Sequence, residues 1–314
     1  MPFVWIGLAL VVIAALTVAA SRWAFNITFY SPHGDRYDPR SIPAEKPQYQ
    51  AVRDRMIAMV DRIEKIPFER VYITSHDGLR LAARYYHIKD GAPLDICFHG
   101  YRGHALRDFC GGAMAGMEMG HNVLLIDERA HGESQGKVIA FGIKERIDCK
   151  SWIDYAITRF GGDVSILLYG ISMGGATVLM ASGLELPVNV KGIVADCPYS
   201  SPKEIILDVA KKMHFPPKLV FPLIALGARL FGGFDVCAVT AEEAVKHATV
   251  PILIMHGDDD RFVPAHMSEG VPRANPQLVT RHLFAGAGHG LCYLTDKEKY
   301  IGLVRDFSKQ LGLL

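Results

Sequence analysis

The sequence predicts an α/β domain built on a mostly parallel sheet with helices on both faces. Three observations predict it. Short β-rich runs alternate with helix-length stretches, and those runs are apolar almost throughout. One of them ends in a Gly-Ile-Ser-Met-Gly-Gly turn that opens a helix. A strand that is apolar at every position is buried on both faces, as in a parallel sheet covered by crossover helices.

The expected strands are Asp95–Phe98, Asn122–Asp127, Val164–Tyr169, Lys191–Ala195, Pro251–Met255 and Gln277–Phe284. Helices are expected over 103–119, 142–159, 174–184, 264–271 and 296–311. Ahead of them, Val71 to Thr74 and Leu79 to Ile88 flank Asp77-Gly78, a turn signal between β-rich runs, which predicts a hairpin. Val52, Met56, Met59, Val60 and Ile63 recur at helical spacing and predict an amphipathic helix packed on the domain. Residues 198–240 break the strand–helix rhythm with five prolines and the apolar run Leu219 to Phe234. A structureless loop of that length is improbable in a compact domain, so this stretch reads as a helical cap inserted over the sheet. Pro222 and Arg229 cut the run too short for a second membrane span.

The N-terminus departs from the rest. Pro2 to Ala20 carries no charge, and residues 1–21 as a helix would span ~30 Å, about one hydrocarbon core. A cleaved signal peptide would want a basic leader before the apolar run, and none precedes it. A transmembrane anchor fits better, with Trp5 near one interface and Trp23, Phe25 and Tyr30 near the other. Arg22, Arg36 and Arg40 follow the span, so the positive-inside rule puts the catalytic domain in the cytoplasm of a single-pass cell-membrane protein. The expected domains are therefore an anchor (1–21), a proline-containing linker with the amphipathic helix (22–68), and the α/β domain (69–314) with its cap.

Composition narrows the function. Of 314 residues, 50% are hydrophobic and 21% charged, which is a globular core and not a disordered chain. Lys and Arg number 34 against 33 Asp and Glu, so no field draws a nucleic acid. The six cysteines form no C-x-x-C pair, and Cys97 and Cys197 lie in strand-like runs, where a thiol acts as a small hydrophobe. Asp258 to Asp260 lack the alternating spacing of a calcium loop, and no phosphate-binding glycine motif is present. The sequence thus implies no metal and no cofactor.

The chemistry gathers around Ser172. Gly170-Ile171-Ser172-Met173-Gly174 follows a strand and opens a helix, the setting of a nucleophile elbow. Glycines on both sides remove side chains that would collide across so tight a turn. The helix N-terminus aims its free N–H groups at the serine and favours negative charge there. A serine hydroxyl needs a base, and the base needs an orienter. His289, flanked by glycines after the last strand, is the candidate base. Asp258, Asp259 and Asp260, after the strand before it, compete for the orienting role.

At this point the residues resemble a known family. His256-Gly257-Asp258-Asp259-Asp260-Arg261-Phe262-Val263-Pro264 is similar to the H-G-x-x-D-x-x-V-P segment of α/β-hydrolases of the serine-aminopeptidase and monoacylglycerol-lipase-like branch. The resemblance covers roughly residues 70–311. It implies the α/β-hydrolase fold, Asp260 as the catalytic acid, and His99-Gly100-Tyr101-Arg102-Gly103 as the oxyanion turn. The implied oxyanion donors are the backbone N–H groups of Tyr101 and Met173. Asp127 to Ser134 matches the family's D-x-R-G-x-G-x-S, a segment of the site floor, with Ala130 in place of a glycine. Phe141-Gly142-Ile143-Lys144-Glu145 resembles a bacterial membrane-anchored subgroup of uncharacterised hydrolases.

The function expected from all this is a serine hydrolase that cleaves a carboxylic ester, acting on a small-molecule or lipid acyl substrate. A thioesterase or peptidase of the same fold, and a silent binding protein that keeps the triad, are the rival readings.

Overall fold

The computed structural model describes residues 2–32, 38–42 and 47–314, so Arg36 and Pro43 of the expected linker lie outside the described residues. Eight strands form one sheet in the order β1-β2-β4-β3-β5-β6-β7-β8. They are β1 (Glu69–Thr74), β2 (Arg80–Tyr86), β3 (Leu94–Phe98), β4 (Asn122–Asp127), β5 (Ile166–Ile171), β6 (Val190–Asp196), β7 (Ile252–Gly257) and β8 (Val279–Phe284). The hairpin strands β1 and β2 pair antiparallel, β2 meets β4 antiparallel, and every other pairing is parallel.

The helices are α1 (Pro2–Thr28), α2 (Pro47–Gln50), α3 (Arg53–Glu64), α4 (Ala105–Asp108), α5 (Gly112–Glu118), α6 (Glu145–Phe160), α7 (Met173–Ala181), α8 (Pro202–Lys212), α9 (Pro217–Gly227), α10 (Ala241–Val245), α11 (Gly270–Ala274), α12 (Cys292–Thr295) and α13 (Lys297–Gln310). The strand interiors explain the continuous apolar runs. Ile96, Leu124 and Leu168 pack on one face with Trp152 of α6, while Cys97, Leu125 and Tyr169 pack on the other with Tyr300 of α13. Alternate residues of each strand point to opposite faces, and both faces are covered.

Several elements differ in extent from the sequence expectation. The helix expected over 103–119 is two short ones, broken at Gly111-Gly112, where a Cβ on Gly111 would overlap the Tyr293 ring. The strand expected at Val164–Tyr169 starts and ends two residues later, carrying β5 to the edge of the turn at Ser172. The most consequential difference is α1, which runs seven residues past Ser21 to Thr28. Nothing in Arg22 to Thr28 breaks a helix, and Ser21, Ala24 and Phe25 bury against the α/β domain. Phe3–Thr28 is long and apolar enough to cross a membrane.

The segment 198–240 folds as α8 and α9 followed by a π-turn over Ala228–Gly232. α9 packs directly on α1, and together with Tyr199, Phe141 and Phe234 they build a third apolar cluster over the sheet's carboxyl edge. Gly227 permits the close crossing, because a Cβ there would lie 2.5 Å from the Ser21 carbonyl oxygen.

The floor segment is held by charge. The buried Arg129 guanidinium donates to Asp148 at 2.5 Å and to Asp77 at 2.9 Å. Burial pushes the Asp148 carboxyl above its ordinary value even with Arg129 beside it. Removing the partner of a buried ion costs about 3–5 kcal/mol. Arg129→Ala is therefore expected to lower the Tm of the solubilised chain by roughly 6–20 °C, checked by thermal unfolding beside wild type. An unchanged Tm would mean that Asp148 needs no cation.

Candidate active site

Four loops at the carboxyl ends of β3, β5, β7 and β8 converge on Ser172. The serine is the N-cap of α7, with φ 56° and ψ −113°, a conformation that non-glycine residues rarely hold. Its own N–H donates to the Asp196 carbonyl at 2.8 Å, which pins the turn to β6. Both flanking glycines are required by space. A Cβ on Gly170 would overlap the Gly174 carbonyl, and one on Gly174 would overlap the Phe98 carbonyl.

The loop after β8 brings His289 to the serine. Its Nε2 lies 2.9 Å from Ser172 Oγ, and its Nδ1 lies 2.7 Å from Asp260 Oδ2. All three are buried, with 7%, 9% and 5% of Ser172, His289 and Asp260 exposed. The loop after β7 separates the three aspartates by geometry. Asp260 accepts the Phe262 and Val263 N–H groups through Oδ1 and faces His289 with Oδ2. Asp258 instead accepts the Gly286 N–H at 2.7 Å and ties the two loops together. Asp259 turns outward to Arg261. Burial pushes the Asp260 carboxyl up. Electrostatic attraction to His289 and hydrogen bonds from His256 and His289 outweigh that and hold it well below the usual carboxylate range. Asp260 is thus ionised at any ordinary working pH.

The turn after β3 lies against the serine, since a Cβ on Gly100 would come within 3.3 Å of Ser172 Cβ. Met173 is the first residue of α7, so its N–H has no acceptor within the helix. The turn has supports that sequence reasoning missed. Asp108 Oδ2 accepts the Gly100 N–H at 2.9 Å, and His131 Nε2 accepts the Arg102 N–H at 3.0 Å. Burial pushes His99 down to about 4, and as a neutral ring its Nε2 accepts the Glu128 N–H. Tyr49 of α2 donates to the His289 carbonyl at 3.0 Å. Asp108 and Tyr49 sit in no recognisable motif. His131 does, inside the D-x-R-G-like segment, so its place near the site was the legible one.

Above Ser172 lies a cavity of about 290 Å3 whose lining includes no charged side chain. Phe141, Ile205, Val209 and Phe262 contribute to it, and so does the end of α1. A second cavity of about 190 Å3 also reaches Ser172 and is more polar, with His289, Tyr49, Arg107 and Asp108 in its wall.

Two clusters of the described residues bring three potential metal-ligand atoms within 4.8 Å. One is Cys197, Asp260 and His289, where the last two already bond each other and burial raises the Cys197 thiol well above its ordinary value. The other is His76, Asp77 and Asp148, whose carboxylates Arg129 occupies. Neither is the chemistry of a cation site.

An eight-stranded, mostly parallel sheet with a serine elbow and a histidine loop at its carboxyl edge is the architecture of the α/β-hydrolase fold, and the chain has that fold. Within it, residues 96–231 match the family described as serine aminopeptidase, S33. An uncharacterised Bacillus subtilis protein is 23% identical over 61% of this chain and 63% of its own length. The lysophosphatidylserine lipase ABHD12 of Xenopus tropicalis is 26% identical over 60% of this chain and 50% of its own. The chain thus spans one half to two thirds of these relatives. Among solved structures, an esterase of Pyrococcus furiosus superposes with a TM-score of 0.63 at 22% identity, over 79% of this chain and 93% of its own. Est1E of Butyrivibrio proteoclasticus with ferulic acid bound gives 0.58 at 23%, over 77% and 98%. At such identity the structural likeness speaks for the fold.

Proposed function

We propose that this hydrolase cleaves carboxylic esters of lipophilic acids through an acyl-enzyme on Ser172. The observation that carries the reading is the unbroken chain Ser172 Oγ–His289–Asp260 at the foot of an uncharged cavity. In this mechanism Ser172 Oγ attacks the ester carbonyl while His289 Nε2 takes its proton. Asp260 holds the imidazole in the right tautomer and stabilises its charged form. The Tyr101 and Met173 N–H groups receive the oxyanion, and losing one such donor typically costs ~3–4 kcal/mol of transition-state stabilisation. His289 then returns the proton to the leaving alcohol, and water, activated by the same imidazole, frees the acid.

The cavity supports an ester over a peptide. A peptidase acting at a free N-terminus needs a carboxylate to receive the ammonium; no described residue lining the apolar cavity supplies one, and Asp108 in the second cavity already accepts from the Gly100 N–H and Arg107. A series of p-nitrophenyl esters from acetate upward tests the substrate class. Each methylene buried contributes ~0.8 kcal/mol, so kcat/KM of the full chain should rise up to about fourfold per added CH2 until the cavity is filled. A flat or falling series would sink the lipophilic reading, and faster turnover of matched thioesters or anilides would favour the rivals.

The N-terminal helix supports a membrane anchor, because α1 continues without a break from its apolar half into the domain it carries. Arg22 and Arg40 follow the span, which supports a cytoplasmic catalytic domain. The exposed Cys237 reports on the side: a membrane-impermeant maleimide should label it in lysed cells only. Labelling in intact cells would reverse the orientation.

A further inference from the structure

The last two turns of α1 are part of the site. Trp23, Ala24, Ile27 and Thr28 line the cavity above Ser172, together with Val220 and Ile224 of α9. The oxyanion turn is fastened to the same helix end. Tyr101 Oη donates to the Thr28 carbonyl at 2.9 Å, and Arg102 Nη2 donates to the Tyr30 carbonyl at 3.1 Å. The carbonyls of a helix's last turn have no partner within the helix, so the Tyr101 bond both caps α1 and braces the turn, while the Arg102 bond holds the chain just beyond it.

The register of charge sets the depth of this wall. Pro2 to Ser21 is uncharged and Arg22 is the first charge. Twenty helical residues span ~30 Å, one hydrocarbon core. Residues 23–28 therefore emerge at the level of the headgroups. Trp23, Met213 and Phe215 of the cavity wall stay exposed, as does Leu219 of α9, by 72%, and the Trp23 and Phe215 rings meet edge to face. An uncovered apolar rim continuous with a membrane helix fits a lipid surface.

We propose that the end of α1 is a specificity-determining wall of the acyl site, and that the cavity opens at the bilayer interface, so that the acyl chain enters from the leaflet between α1 and the α8–α9 hairpin. This rests on the reading of Ser172 as nucleophile and α1 as anchor. It has a practical consequence: cutting the anchor at Ser21 or beyond removes or frees part of the pocket.

The test uses the full chain in lipid nanodiscs and the ratio of p-nitrophenyl octanoate to acetate kcat/KM. Ile27→Trp should lower that ratio about tenfold or more, and Ile27→Ala should move the preferred acyl chain to greater length. Opposite shifts from one position exclude general damage to the fold. Leu16→Trp, the same bulk added on the exposed part of α1, should leave the ratio as in wild type. Unmoved ratios in both Ile27 variants, with wild type active, would overturn the wall alone; a wild type inactive on every ester would overturn the nucleophile reading as well. The depth is checked separately in a Trp5→Phe chain, where Trp152 is buried in the domain and Trp23 is the exposed indole. Lipids brominated near the headgroup end of the chain should quench it, and no quenching would place the cavity mouth in water.

Discussion

Ser172→Ala is expected to lower ester turnover by about 10^5-fold or more while leaving the fold in place. Removing the nucleophile of a triad costs about as much as removing all three members, and the residual rate over water comes from binding and the oxyanion donors. The fold survives because alanine keeps the Ser172 backbone bond to Asp196 and only deletes an oxygen that touches His289. The check is kcat on the best p-nitrophenyl ester beside a thermal melt. Near-normal turnover at an unchanged Tm would remove Ser172 from the mechanism and leave a binding protein or another nucleophile.

Asp260→Asn should cost about 10^4-fold in kcat, again without gross unfolding. The amide oxygen can still accept the Phe262 and Val263 N–H groups, so the loop keeps its shape. Its NH2 then faces His289 Nδ1, which must turn acceptor, and the proton moves to the nitrogen that should receive one from Ser172. Stability changes too, and its sign is fixed. The folded carboxyl titrates below its unfolded value of ~3.9, so its contribution is present above about pH 4 and lost as pH falls further. At neutral pH the variant should therefore melt lower than wild type, and the gap should narrow in acid. Asp259→Asn should stay near wild type in both assays, since among the described residues the Asp259 carboxylate pairs with Arg261 alone, at the surface. Equal losses at 259 and 260 would contradict the assignment.

What could be read in the sequence followed from how local the physics is. The serine turn is legible because Gly170 and Gly174 answer collisions within a few residues of chain, and the strands because burial on both faces leaves an unbroken apolar run. The three consecutive aspartates are alike in local chemistry, and only backbone direction in the loop separates them, so family resemblance was needed to choose Asp260. Tyr49 reaches His289 across 240 residues of chain, and a contact of that kind leaves no periodicity behind. The helix break at Gly111-Gly112 did carry a signal, the glycine pair itself. The end of α1 was hidden for a different reason. Composition marks where a membrane helix becomes polar, not where it stops being a helix, and the residues that hold its last turns lie on α9 and the oxyanion turn.

The most direct test of the central claim is covalent. The full chain, with its N-terminal helix intact, is treated with a fluorophosphonate probe and mapped by peptide mass spectrometry. A nucleophilic Ser172 predicts one adduct on that serine in wild type, none in Ser172→Ala, and strongly slowed labelling in Asp260→Asn. A folded wild type that takes no label, or an adduct that persists in Ser172→Ala, would contradict it.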